Sequence, residues 1–209
     1  MKLIHLSDLH LGKRLNEFSL IEDQKYILTK IINVIDDEKP DAVLIAGDVY
    51  DRSVPSADAM TLLDELLNKL SGRKVFIISG NHDNAKRLSF GKDFLKKHDI
   101  YISTVPQTGE NEKIEKVTFA DEYGNVNIYM LPFLKPALFK NSMPEEAAAG
   151  EDAIIKKLVE NTDIDKNAQS PDGDSSPEGR AFLHQEEKFP FKMKSSPLGG
   201  AGIERMRDD

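Results

Sequence analysis

Apolar and polar positions alternate with two different spacings along the first half of the chain. Three short runs, at residues 3–7, 42–46 and 75–79, are mostly apolar and end at polar or glycine residues. Runs of this length and composition are typical of buried strands. Longer segments lie between them, and their apolar residues recur at the spacing of an amphipathic helix. This alternation predicts an α/β fold in which helices cover a sheet.

Two helices are predicted between these strands, at residues 20–35 and 59–70. The apolar face of the first consists of Ile21, Leu28, Ile31, Ile32 and Ile35. The apolar face of the second consists of Ala59, Met60, Leu63, Leu66, Leu67 and Leu70. Both faces are expected to pack on the sheet.

A hairpin and a third helix are predicted further along the chain. Residues 116–120 and 126–131 flank a polar turn, as in two strands joined by a hairpin. The helix is expected to begin near Ser142, whose side chain would cap it. Glu145 would complete a capping box, and Pro144 suits the first helical turn.

The pattern changes after Thr162. Residues 163–209 are interrupted by four prolines and five glycines: Pro171, Pro177, Pro190, Pro197, Gly173, Gly179, Gly199, Gly200 and Gly202. Regular periodicity is lost there, which favours little fixed structure. The predicted organisation is therefore one domain over residues 1–162 and an irregular, disordered or out-of-family tail over residues 163–209.

Composition narrows the class of protein. The chain has 209 residues, 39% hydrophobic and 31% charged, which suffices for one globular domain. It has no apolar stretch near the ~18 residues of a membrane span and no signal-peptide pattern, so we expect a cytoplasmic protein with no membrane partner. The net charge of −8 argues mildly against an independent nucleic-acid binder, since DNA attracts Lys and Arg. It does not exclude a nuclease, because a carboxylate-rich metal site is itself acidic.

Three polar motifs follow the three predicted strands. They are Asp8-Leu9-His10, Gly47-Asp48-Val49-Tyr50-Asp51 and Gly80-Asn81-His82-Asp83. The carboxyl ends of strands in such a sheet gather at one edge, so the three motifs are expected to converge on one site. Taken singly, each motif has an ordinary explanation as a surface segment, a turn or a helix cap. Their shared position after buried strands favours a metal site.

The residue types indicate two-cation chemistry. Asp8 and His10 lie two positions apart and can present an oxygen and a nitrogen to one cation. The carboxylate of Asp48 can bridge two cations about 3.5–4 Å apart. Asn81 offers a neutral amide oxygen to the second cation, and His82 could contact a phosphate or protonate its leaving oxygen. With no cysteine in the chain, this ligand set favours Mn or Mg, with Zn or Fe possible.

These motifs resemble those of the calcineurin-like metallophosphoesterases. The wider context, residues 4–12, 46–52, 79–83 and 131–133, is similar to the SbcD-type nuclease subunits of bacteria. The resemblance implies a layered αββα sandwich. It also implies that Asp8, His10 and Asp48 hold one cation, that Asp48 and Asn81 hold the other, and that His82 is the catalytic histidine. Asp83 would orient His82, and Asp51 would lie near the site.

The same resemblance implies an activity and partners. SbcD-type subunits are Mn-dependent nucleases that open DNA hairpins, degrade double strands from 3′ to 5′ and cut single strands. They act in recombination, replication and repair with an SbcC-like ATPase of the SMC family, as a nuclease homodimer within a heterotetramer.

The chain departs from this family in its later histidines. Family members carry a Gly-His-x-His motif that completes both cation sites, and this motif is absent here. After residue 83 the histidines are His98 and His184, of which His184 precedes Gln185 and could match a downstream His-Gln of the family. We therefore expect a sandwich incomplete on its C-terminal side, with a tail read out of frame or a truncated gene. Two alternatives stay open, a phosphoesterase for small phosphodiesters or phosphoproteins and an inactive remnant.

Overall fold

The fold contains nine strands and six α-helices within the residues that the structure, a computed structural model, describes: 1–106, 108–109, 111–121, 124–162, 164 and 180–183. In chain order they are β1 (Leu3–Ser7), β2 (Arg14–Leu15), β3 (Phe18–Ser19), α1 (Ile21–Glu38), β4 (Ala42–Ala46), α2 (Ala57–Leu70), β5 (Lys74–Ile78), α3 (Ala85–Leu88), α4 (Lys92–Leu95), β6 (Ile100–Ser103), β7 (Glu115–Asp121), β8 (Gly124–Met130), α5 (Pro144–Ala149), α6 (Glu151–Thr162) and β9 (Arg180–Leu183). Two short 3₁₀ helices span Lys96–His98 and Pro136–Phe139.

Two sheets stack between two layers of helices. The first sheet is parallel, in the order β1-β4-β5-β6, and the second has the order β7-β8-β9. One apolar cluster joins α1 and α2 to the first sheet, a second joins the two sheets, and a third joins the second sheet to α5 and α6. This arrangement confirms the expected αββα sandwich.

The central strands agree closely with the sequence pattern. β1 and β4 have the predicted bounds, and β5 begins and ends one residue earlier than predicted. All five residues of β4 are buried, because helices cover one face of the sheet and the second sheet covers the other. The predicted hairpin is also present as β7 and β8, whereas β6 was not predicted.

Two details of the helices correct the prediction. In α2 the side chain of Met60 is 53% exposed, while Leu62 is buried, because the buried stripe is centred further around the helix than predicted. α5 begins at Pro144, but its N-cap is Met143, and no side chain caps it. Ser142 lies one residue too early for a cap, and its buried Oγ makes no hydrogen bond.

The segment after residue 162 is described only in part. Ile164 is buried in the cluster beneath α5 and α6, and Arg180–Leu183 form a strand parallel to β8. Within the segment predicted to be irregular, the structure thus describes one buried residue and one short strand. His184 and the rest of the predicted tail lie outside the described residues, as does the proposed His184-Gln185 match. Among the helices described, none is long and apolar enough to cross a membrane.

Candidate metal centre

The loops that follow β1 and β4 remain paired beyond the ends of their strands. The backbone N–H of Asp8 donates to Gly47 at 3.2 Å, and that of His10 donates to Asp48 at 2.8 Å. At the next residue, the Leu11 N–H donates to the Val49 carbonyl oxygen at 2.9 Å, and the Leu11 carbonyl oxygen accepts from the Asp51 N–H at 3.1 Å. The first two motifs are therefore fixed side by side, as the convergence of strand ends predicted.

The loop after β5 is attached to the other two through carboxylates. The backbone N–H of His82 donates to Asp48 Oδ1 at 2.9 Å. The carboxylate of Asp83 accepts from the backbone N–H groups of Val49, Tyr50 and Gly80 at 3.1, 2.9 and 2.9 Å. All three motifs thus meet at one edge of the first sheet.

Potential ligand atoms lie at distances that one cation can span. His10 Nε2 is 3.8 Å from Asp8 Oδ1 and 3.7 Å from Asp48 Oδ2. Two donors that each lie about 2.1 Å from an ion are at most about 4.2 Å apart, so both distances fit. His10, Asp48 and His82 also offer ligand atoms within 4.8 Å of one another. The donor set is oxygen and imidazole nitrogen, which suits divalent Mn, Mg or Zn.

The predicted site residues differ in exposure. The Asp48 side chain is 5% exposed and that of His10 is 19% exposed, whereas that of Asp8 is 55% exposed. Asn81 and His82 are exposed on the β5 loop. The site therefore combines one buried carboxylate with side chains that an extended substrate can reach.

The ring of His82 is held by the backbone of Asp51. His82 Nδ1 donates to the Asp51 carbonyl oxygen at 2.9 Å, and the His10 and His82 rings meet edge to face with centroids 4.9 Å apart. This hydrogen bond raises the pKa of His82, and the charges of Asp48, Asp51 and Asp83 raise it further. Burial opposes this rise, and the net effect is a pKa for His82 above that of a free imidazole.

The Asp83 carboxylate contacts the backbone of two loops. Its carboxylate oxygens accept from three backbone N–H groups on the β4 and β5 loops, while Asp51 holds the His82 ring. Burial raises the pKa of Asp83, and the three N–H donors oppose that rise. In this structure Asp83 joins two loops. Asp51 is the residue placed between both histidines, since its Oδ1 lies 3.7 Å from His10 Nδ1.

Backbone strain at the candidate ligands was not predicted. Asp8, His10 and Asp48 have φ angles of 55°, 42° and 46°, in the left-handed region. Residues other than glycine occupy this region rarely, and such strain concentrates at functional sites. The only signal in the sequence was that Asp tolerates this conformation better than most residues. Gln24, on α1, also contacts the site loop and was not predicted.

The chain belongs to the calcineurin-like phosphoesterase family, whose sequence model matches residues 1–191. It is 43% identical over 136 residues to the D subunit of the nuclease SbcCD from Staphylococcus saprophyticus, covering 64% of this chain and 34% of that protein. It is 34% identical over 172 residues to the corresponding SbcCD nuclease subunit from Staphylococcus epidermidis, covering 80% of this chain and 44% of that protein. The chain thus spans less than half the length of these curated relatives. The family match runs past residue 162, the predicted boundary of the domain.

Proposed function

We propose that this chain is the nuclease portion of an SbcD-type subunit, which hydrolyses phosphodiester bonds of DNA with two divalent cations, Mn by preference and Mg as the alternative. The observation that carries the proposal is the approach of Asp8 and Asp48 oxygens to within 3.8 and 3.7 Å of His10 Nε2. Similarity to two nuclease subunits over 64% and 80% of this chain supports the choice of DNA as substrate.

Four side chains are proposed as ligands. Asp8, His10 and Asp48 would hold one cation, and Asp48 with Asn81 would hold the other. Bound there, the cations would lower the pKa of water and neutralise charge that develops on the phosphate. The closeness of four carboxylates, those of Asp8, Asp48, Asp51 and Asp83, supports cation binding, because like charges at short range are relieved by a positive ion.

His82 is proposed as the catalytic histidine. Its Nδ1 is engaged by the Asp51 carbonyl oxygen, which leaves Nε2 to approach a phosphate or a leaving oxygen. The protonated form of the ring could donate a proton to the leaving oxygen. Asp51 would position this ring through its backbone, and Asp83 would keep the β4 and β5 loops together.

The finer activities are proposed from the relatives. Opening of hairpins, 3′ to 5′ degradation of double strands and endonuclease action on single strands would take place in a cytoplasmic complex with an SbcC-like ATPase, the nuclease forming a homodimer. The relatives are named as subunits of SbcCD, which supports the partner. Exposed basic residues beside the first and third motifs, Lys13, Arg14, Lys86 and Arg87, support contact with DNA phosphates.

Cleavage by the purified 209-residue chain tests this proposal. Linear duplex DNA, hairpin DNA and a small phosphodiester are each incubated with Mn and wild-type chain, Asp48→Ala or Asp37→Ala. Asp37 is an exposed carboxylate at the end of α1 and serves as the matched control. We expect DNA cleavage by the wild type and by Asp37→Ala, and a loss of roughly a hundredfold or more in Asp48→Ala, since that ligand serves both cations.

Other outcomes would contradict the proposal in distinct ways. Hydrolysis of the small phosphodiester with intact DNA would favour the broader phosphoesterase. No hydrolysis and no Mn binding by folded protein would favour an inactive remnant.

A further inference from the structure

The side chain of Gln24 contacts the loop that carries Asp8 and His10. Its Oε1 accepts from the Gly12 N–H at 2.9 Å. Its Nε2 donates to the carbonyl oxygens of Leu9 and His10 at 3.2 and 2.8 Å. A single carboxamide in the first turn of α1 therefore makes three hydrogen bonds to the backbone of one short loop.

This loop needs support because its backbone is strained. Asp8, His10 and Gly12 have φ angles of 55°, 42° and 86°. Within the loop, the Lys13 N–H donates to the His10 carbonyl oxygen at 3.1 Å. The β4 side accepts the N–H groups of Asp8, His10 and Leu11, but those bonds do not engage the carbonyl groups of Leu9 and His10. Gln24 meets both of these carbonyl groups, so the loop is held from two directions.

Few side chains could replace glutamine here. The position requires one hydrogen-bond acceptor and one group with two N–H donors in the same plane, and a carboxamide supplies both. Glutamate would present a second acceptor to the two carbonyl oxygens, and asparagine is one methylene shorter. The helix that carries Gln24 is itself anchored, since Leu28, Ile32 and Ile35 of α1 are buried in the core.

We propose that Gln24 is a positioning residue of the metal centre. It acts through the backbone and holds the β1 loop in the conformation in which Asp8 and His10 face Asp48. The effect on metal binding rests on the proposed function, whereas the ordering of the β1 loop rests only on the three hydrogen bonds. None of the three sequence motifs contains this residue.

The test uses the full chain as Gln24→Met, which keeps the length of the side chain and removes its hydrogen bonds. Asn33→Ala, which removes an exposed carboxamide from the same helix, is the matched control. Hydrogen–deuterium exchange is measured without metal, and Mn affinity is measured by calorimetry. In Gln24→Met we expect the Gly12 amide to exchange at least about tenfold faster while β4 amides are unchanged, and Mn affinity to fall about 10–100-fold. Asn33→Ala should match the wild type in both measurements.

Three results would overturn the inference. Unchanged exchange of the Gly12 amide in Gln24→Met would show that the side chain does not order the loop. Faster exchange or a lower melting temperature with wild-type Mn affinity would reduce Gln24 to a stabilising residue without effect on the metal centre. Failure of the wild-type chain itself to bind Mn would overturn the proposed metal site and the positioning role together. Because exchange is measured without metal, it would still show whether Gln24 orders the loop, so this case can be told apart from the first.

Discussion

Asp48 links the three loops of the candidate centre at the scale of a single residue. Its Oδ1 accepts the backbone N–H of His82 at 2.9 Å, and its Oδ2 lies 3.7 Å from His10 Nε2. The residue is 3% exposed, and a carboxylate so far from water is costly unless it is paired or coordinates a metal. A cation bound between Asp48 and His10 would offset this cost.

Tyr50 should make stability depend on pH in alkaline solution. Burial raises the pKa of Tyr50 to about 12, and the charge of Asp83 adds to the rise. Tyr50 in the unfolded chain ionises near pH 10. The stability that the buried, neutral Tyr50 gives the fold is therefore fully present below about pH 10 and is lost as pH rises towards about 12. Denaturant unfolding from about pH 9 to about 12 should show a steeper loss of stability in the wild type than in Tyr50→Phe. Parallel curves for the two proteins would contradict this prediction.

Asp83 should stabilise the fold by joining two loops. Asp83→Asn replaces a carboxylate that accepts three backbone N–H groups by an amide that presents N–H groups to some of them. We expect the free energy of unfolding to fall by about 2–3 kcal/mol in chemical denaturation, because hydrogen bonds to charged groups are worth this much. The control is Asp37→Asn, at an exposed position. Equal stability of the two variants would show that the loops do not depend on Asp83.

The residue types of the candidate site could be predicted from the sequence, but their contacts could not. The motifs marked Asp8, His10, Asp48 and His82, because each follows a strand that the apolar pattern reveals. The bonds from Asp83 to Val49, and from Gln24 to Leu9, join residues that lie far apart in the chain. No local pattern encodes such contacts, so neither the bonds of Asp83 to the β4 loop nor the contact of Gln24 could be predicted.

At the scale of elements, the β1 loop passes close to the N-terminus of α2. A Cβ added at Gly12 would lie 2.9 Å from the Cβ of Ala59 and 3.5 Å from Ser56 Oγ. Ser56 is the N-cap of α2 and accepts from the Ala59 N–H at 3.2 Å. The close approach places the β1 loop directly against the capped N-terminus of α2.

Gly12 and Gly72 form a matched pair that isolates this contact. Both have positive φ, 86° and 83°, but a Cβ at Gly72 would meet nothing within 4 Å. Gly72→Ala should therefore cost only the left-handed backbone term, about 1–2 kcal/mol. Gly12→Ala should cost a further ~1–3 kcal/mol because the neighbours must shift. If the unfolding free energies of the two variants agreed within about 0.5 kcal/mol, the contact between Gly12 and α2 would add no measurable cost, which would contradict the prediction.

Element bounds were predictable where burial was complete. β4 lies between helices and a second sheet, so its residues are uniformly apolar and its ends are sharp. β6 is only four residues long and includes a serine, which gives a weak pattern. The N-cap of α5 was mispredicted because Ser142 matched a capping box in sequence, whereas the helix begins directly after Met143.

At the scale of the whole molecule, the layered fold places the carboxyl ends of β1, β4 and β5 side by side. β1, β4 and β5 are neighbours in the first sheet, so the motifs that follow them form one centre. The apolar pattern alone predicted an α/β fold, and the αββα layering came from the family resemblance. Stacking of one sheet on another depends on contacts such as that between the rings of Phe76 and Phe119, which no local periodicity specifies.

The three loops are proposed to hold two cations. The most direct test of this proposal is anomalous diffraction at the Mn edge from crystals of the full chain grown with Mn. Two anomalous peaks about 3.5–4 Å apart are expected. One should contact Asp8, His10 and Asp48, and the other should contact Asp48 and Asn81. Peaks elsewhere on the protein, or no peak within coordination distance of Asp48 in fully ordered crystals, would contradict the proposal.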